Sequence, residues 1–181
     1  MLGRLLTCCL ALLILTCAGF AQRNEVAVTG GGYFPSEPQT SANVVGVVEG
    51  TFAHRIFAVP LASVYIEVPV AHAFGIGLRT SGEYNATFMM PGVKVKLAPA
   101  FFASPYLAAG LGVAYFGTSG APVNGSNTSA AFDVGGGVDV KVFPFVSLRG
   151  EIRNANSGGL GGVGAGRQNN ILATGGLVLR F

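Results

Sequence analysis

Downstream of residue 22 the chain alternates apolar with polar or small residues at a period of two, and its charges keep to one phase of that alternation. A period of two belongs to a strand that shows its two faces to two different environments; a helix would repeat every 3.6 residues. At the C-terminal end Ile171, Ala173, Gly175, Leu177, Leu179 and Phe181 share one face, opposite Thr174, Gly176, Val178 and Arg180. Val146, Leu148, Gly150 and Ile152 oppose Ser147, Arg149, Glu151 and Arg153, and Phe132, Val134, Val138 and Val140 oppose Asp133, Asp139 and Lys141. Upstream, Val93, Val95 and Leu97 oppose Lys94 and Lys96, Val64, Ile66 and Val68 oppose Glu67, Val48 and Phe52 oppose Glu49, and Val26 and Val28 oppose Glu25. Tyr106–Phe116 is the weakest case, with Leu107, Ala109, Leu111 and Val113 facing small residues and Tyr106. The pattern predicts eight strands, roughly 26–34, 43–54, 61–71, 84–97, 104–116, 129–142, 145–154 and 169–181.

One stretch, Ile56–Leu78, is apolar enough to suggest a membrane helix, but it contains Pro60, Glu67 and Pro69. A proline inside a helix costs about 3 kcal/mol, and the β-branched, alternating core of the stretch favours a strand.

The start of the chain reads differently. A short basic stretch, Met1 to Arg4, precedes the apolar run Leu5–Cys17 and the small residues ending at Ala21. These are the parts of a secretory signal peptide, and the run is too short to span a bilayer as a helix. The expected cut after Ala21 removes all three cysteines, Cys8, Cys9 and Cys17, so no disulfide is expected in the mature chain. A lipid anchor on Cys17 is disfavoured by Thr16 before it. The expected organisation is a signal peptide over 1–21 and a single domain over 22–181.

Only 10% of residues are charged while 50% are hydrophobic. That excludes a disordered chain, and a net charge of +3 gives no electrostatic footprint for nucleic acid. Downstream of Ala21 there are ten basic and eight acidic residues, and thirteen of these eighteen fall on or at the ends of strands. They are Glu25, Glu49, Arg55, Glu67, Lys94, Lys96, Asp133, Asp139, Lys141, Arg149, Glu151, Arg153 and Arg180, all on the parity opposite the large apolar side chains.

Alternation alone permits a soluble sandwich or barrel with its apolar face inside, or a membrane barrel with that face turned to lipid. Four features favour the second. The strands are about 10–14 residues long, enough to cross a bilayer at a tilt. The charged face is rich in Gly, Ala and Ser, which suits a narrow interior. Long connections (Pro35–Ala42, His72–Glu83, Gly117–Thr128, Ala155–Gln168) alternate with short ones (Arg55–Pro60, Ala98–Ala103, Phe143–Phe145). Aromatics sit at strand ends: Phe57, Phe101, Phe102, Phe143, Phe145 and Phe181 on the short-turn side, Tyr33, Phe34, Tyr115 and Phe116 on the other. The expected fold is all-β, an eight-stranded antiparallel up-and-down transmembrane barrel with both termini on the periplasmic side.

The final segment, Gly175-Gly-Leu-Val-Leu-Arg-Phe181, resembles the closing strand of bacterial outer-membrane β-barrels, and the chain from residue 22 resembles the small eight-stranded members, such as the transmembrane domain of outer-membrane protein A. The resemblance implies that Leu177, Leu179 and Phe181 form the signal read by the barrel assembly machinery. It also implies export with periplasmic chaperones to the outer membrane of Gram-negative bacteria, contact with lipid and lipopolysaccharide, and a monomer. With the chain ending at Phe181, no cell-wall-binding domain is expected after the barrel.

An eight-stranded barrel leaves room only for side chains, and charges persist there only when paired. Arg149, Glu151, Arg153 and Arg180 are expected to pair across strands with Asp133, Asp139, Lys141 and Glu25. Two functions follow: a structural or surface-contact barrel with a plugged polar interior, or a small porin-like transport barrel. A lipid-facing Arg at Leu179 is expected to block insertion.

No catalytic site, cofactor or metal is expected. His54 and His72 fall at opposite ends of the barrel, and nothing places Ser81 beside His72. Gly159–Gly164 satisfies G-x-G-x-x-G without a following helix, and reads as an external loop. Asn85, Asn124 and Asn127 match glycosylation acceptors by coincidence in an exported bacterial protein.

Overall fold

A computed structural model describes residues 23–36, 44–77, 83–119, 126–158 and 167–181. Residues 1–21, read as a signal peptide, Ser81 and the glycine motif at 159–164 lie outside the described residues. The strands are β1 (Asn24–Phe34), β2 (Val45–Val59), β3 (Ala62–Gly77), β4 (Glu83–Met89), β5 (Gly92–Leu97), β6 (Ala103–Ser119), β7 (Ser126–Phe143), β8 (Val146–Ser157) and β9 (Gln168–Arg180). Each pairs antiparallel with its neighbours, and β9 closes on β1 from Glu25↔Arg180 to Phe34↔Ile171. β4 and β5 are two halves of one stave, so the barrel has eight.

The fourth stave breaks at Met90–Pro91 because Pro91 has no N–H for the ladder. The register is the same on both sides, Met89↔Val113 and Gly92↔Gly110, and the Leu111 N–H still reaches the Pro91 carbonyl at 3.0 Å. In β3, Gly75 takes a left-handed φ of 59° inside a bulge, where its N–H donates to Asn85 Oδ1 at 2.8 Å.

The short turns (Pro60–Leu61, residues 98–102 and Pro144–Phe145) and both ends of the domain gather at one end, where Asn24 and Phe181 exchange backbone hydrogen bonds of 2.9 and 3.0 Å. At the other end the strands run further than alternation indicates. β3 continues through His72 to Gly77, β6 and β7 pair out to Gly117↔Ser126, and β8 reaches Ser157. β7 has 18 residues where about 9–11 cross a bilayer. The extensions of β6, β7 and β8 are rich in Gly, Ser, Thr and Asn because they rise beyond the apolar band, and such sequence reads as loop.

The wall is inside out. Leu107, Leu111, Val28 and Ile152 are more than 60% exposed, while Lys94, Asp139 and Ala53 are fully buried. Glycines divide accordingly. A side chain at inward Gly112 would overlap the Met89 carbonyl, whereas one at outward Gly150 meets nothing within 4 Å. Gly112→Val is therefore expected to cost about 1–3 kcal/mol by overpacking, and Gly150→Val about 0.5 kcal/mol or less. Urea midpoints of the two variants in micelles check this.

Leu179 is two residues from Phe181 and level with Val146, next to the Pro144–Phe145 turn. It faces outward but near the short-turn rim, so the expected block from Leu179→Arg belongs to a residue nearer mid-wall. Leu111, between Phe102 at one rim and Tyr115 at the other, is such a residue.

Candidate functional site: the barrel interior

Inward positions are set by the pleat. Once Glu25 faces in, alternation carries Ala27, Thr29 and Tyr33 inward with it, and ladder pairing fixes the phase of every other stave. The interior so formed has a charged half toward the short turns and an aromatic half toward the other end.

In the charged half, Glu25 on β1 collects Lys94 Nζ at 3.0 Å, Arg180 Nε at 3.2 Å, Arg149 Nη2 at 3.5 Å and the Lys96 ammonium. Asp139 on β7 accepts two bonds from Arg149, Nε at 2.8 Å and Nη2 at 3.1 Å, and also meets Lys96 at 2.7 Å and Arg180 at 3.2 Å. Such a bidentate guanidinium–carboxylate pair fixes geometry as well as charge. Higher in the lumen, Arg153 on β8 reaches Asp133 at 2.6 Å, Glu67 at 2.5 Å and the Glu151 carboxylate. Lys94 meets Glu67 at 3.3 Å, and the Tyr106 hydroxyl donates to Glu151 Oε2 at 2.6 Å. Tyr65 and Tyr106 lie under the cations: Lys94 is 5.0 Å from the Tyr65 ring and Arg149 4.9 Å from Tyr106.

Four of these contacts join neighbouring staves: Arg149–Asp139, Arg153–Asp133, Arg180–Glu25 and Lys94–Glu67. Others cross the lumen. Arg153 on β8 and Glu67 on β3 stand on opposite walls, four staves apart, and Lys94 on β5 reaches Glu25 three staves away. Reasoning by strand adjacency does not reveal such pairs. Lys141 does not pair as expected: on the last regular rung of β7, before the bulge between Lys141 and Phe143, it is half-buried at the short-turn mouth, level with Ser147, and joins no ion pair among the described residues. Glu49 is buried, accepts from Thr51 Oγ1 at 2.9 Å, and likewise joins no ion pair among the described residues.

The aromatic half was not legible in the alternation. Tyr33 and Phe116, read as rim residues, point inward and are buried; Phe34 and Tyr115 do face out. Inside, Tyr33 packs on Phe88 across the lumen at 5.8 Å, and Phe116 meets Phe88 edge-on at 6.1 Å and Tyr84 at 6.1 Å. Ile76, Met90 and Leu172 complete this cluster. The only sequence clue was parity: Tyr84, Phe88 and Phe116 share the phase of the charges in their own staves or the next.

The two histidines face outward at different heights. His54 Nδ1 is 2.8 Å from Asn24 Oδ1 at the short-turn end. His72 is within β3 rather than in a loop, 2.8 Å from Thr87 Oγ1 and edge-on to Phe74.

An apolar outer wall, a charged and ion-paired interior, and eight antiparallel staves closed by the two terminal strands define a transmembrane β-barrel. No family model matches the sequence, and no curated protein is significantly similar to it. Among solved structures the fold is that of small outer-membrane barrels. Neisserial surface protein A is 14% identical, with a TM-score of 0.63 over 87% of this chain and 97% of its own. Ail, the attachment invasion locus protein of Yersinia pestis, crystallised with the heparin analogue sucrose octasulfate, is 8% identical with a TM-score of 0.55, covering 87% of this chain and 97% of its own. The outer membrane enzyme PagL is 13% identical with a TM-score of 0.50, covering 87% and 99%. At such identities the likeness carries the fold alone, and one fold here hosts a surface protein, an attachment protein and an enzyme.

Proposed function

We propose that this chain is a non-enzymatic, monomeric outer-membrane barrel with a plugged interior, serving a structural or surface-contact role. In this reading the short turns and termini face the periplasm, and the opposite end of the barrel is the contact surface, against lipopolysaccharide or another cell. Leu177, Leu179 and Phe181, all exposed on the closing strand, are the signal for the assembly machinery, reached with periplasmic chaperones after loss of residues 1–21.

The observation that carries the plug is the set of ion pairs thrown across the lumen, Arg153–Glu67 above all. A buried pair is costly to separate because each partner would be left as an isolated charge. An aqueous path needs these groups to part, and the aromatic cluster lies in series with them. Planar-bilayer recording tests this. The expected result is no steady conductance; discrete, reproducible steps would establish the porin-like alternative.

A further inference from the structure

We propose that the short-turn mouth of the barrel is a binding site for a phosphate group. Arg55, Lys96, Lys141 and Arg180 converge there with Tyr65 around a polar concavity of about 30 Å³, closed at its rim by Pro99 and Pro144 from the two neighbouring turns. The space admits the oxygens of an anionic group presented end-on, and not a whole organic molecule. Charge at this end is out of balance. Among the described residues no carboxylate lines the concavity; Glu25 and Asp139, the carboxylates in contact with Lys96 and Arg180, are shared with Lys94 and Arg149, and Lys141 joins no ion pair. Partly enclosed cations in excess favour an anion at the opening.

A second observation points the same way. Ser63 and Ser147 are fully buried, their hydroxyls have no hydrogen-bond partner among the described residues, and their ladder partners are the mouth lysines Lys96 and Lys141. Two hydroxyls without partners among the described residues thus stand level with the mouth lysines, and neutral donors beside cations suit phosphate oxygens. The exposed rings of Phe57, Phe101, Phe102, Phe143, Phe145 and Phe181 girdle this same end, as aromatics do at the lipid headgroup level. The phosphate can therefore come from solution or from a phospholipid headgroup. The inference is independent of whether the barrel conducts.

The test follows amide shifts in the folded barrel, in a phosphorus-free non-ionic detergent, as inorganic phosphate is titrated at constant ionic strength. A parallel arm compares nanodiscs of phosphatidylglycerol with nanodiscs of a phosphorus-free glycolipid. Saturable shifts confined to Ser63, Lys96, Lys141 and Ser147 in the first arm identify free phosphate; the same shifts in the second arm alone identify the headgroup. Lys141→Gln, which breaks no ion pair among the described residues, is expected to weaken binding about tenfold, the loss of one charge-assisted contact. No localised shift in either arm, equal shifts with chloride, or unchanged affinity in Lys141→Gln overturns the site.

Discussion

Arg153→Met is expected to destabilise the barrel by about 3–5 kcal/mol, the loss seen when one member of a buried ion pair is removed and its partners are stranded. Arg153 bridges Asp133, Glu67 and Glu151, and no other cation among the described residues is in contact with Asp133. Truncating it strands Asp133 and leaves Glu67 only Lys94, and Glu151 only Arg149, as counter-charge, with Glu49 close by and joining no ion pair among the described residues. The loss is read from urea unfolding in micelles or lipid. Adding Asp133→Asn and Glu67→Gln to Arg153→Met is expected to recover much of it, because uncharged amides tolerate burial far better than isolated carboxylates. A stability equal to that of the unaltered barrel for Arg153→Met alone would mean that the interior is hydrated rather than sealed.

The second large effect is on the outer wall. Leu111→Arg is expected to cost about 2–4 kcal/mol of folding into a bilayer, since it places a guanidinium near the midplane with lipid on its exposed side. Leu179→Arg, on the same outward face but beside the short-turn rim, is expected to cost about 1 kcal/mol or less, because the side chain reaches the interface. The contrast is the informative quantity. A soluble barrel would show no such depth dependence, and gel-shift folding assays in vesicles of defined composition measure both variants under one condition.

What the sequence made legible was the face on which each strand carries its charges. Arg149, Glu151 and Arg153 lie on one phase of β8, so their common orientation follows from the pleat once any one of them is placed. Closure of β9 on β1 followed from an even strand count. What stayed hidden depends on distance across the lumen. Nothing in the local pattern brings Lys94 to Glu25, or Arg153 to Glu67, because those contacts depend on barrel diameter and side-chain reach rather than on neighbouring strands. The aromatic half was missed for a related reason. Tyr33 and Phe116 end their apparent strands, and a terminal aromatic is equally consistent with a lipid rim and with an inner core. Their phase decides: Tyr33 shares it with Glu25, and Phe116 with Tyr106. The Met90–Pro91 break was masked because the residues on both sides keep a single register and alternate without interruption.

The central claim, that the apolar face of each stave meets lipid while the charged face is sealed inside, is tested most directly by a spin-label scan along β6 in the reconstituted protein. Labels are placed singly at Leu107, Ala108, Ala109, Leu111, Val113 and Ala114, with relaxation measured against dissolved oxygen and against a water-soluble nickel complex. The account predicts strong oxygen contact at 107, 109, 111 and 113 and weak contact with either relaxant at 108 and 114. Strong contact with the nickel complex at Leu107 and Leu111 would place that face in water and contradict it.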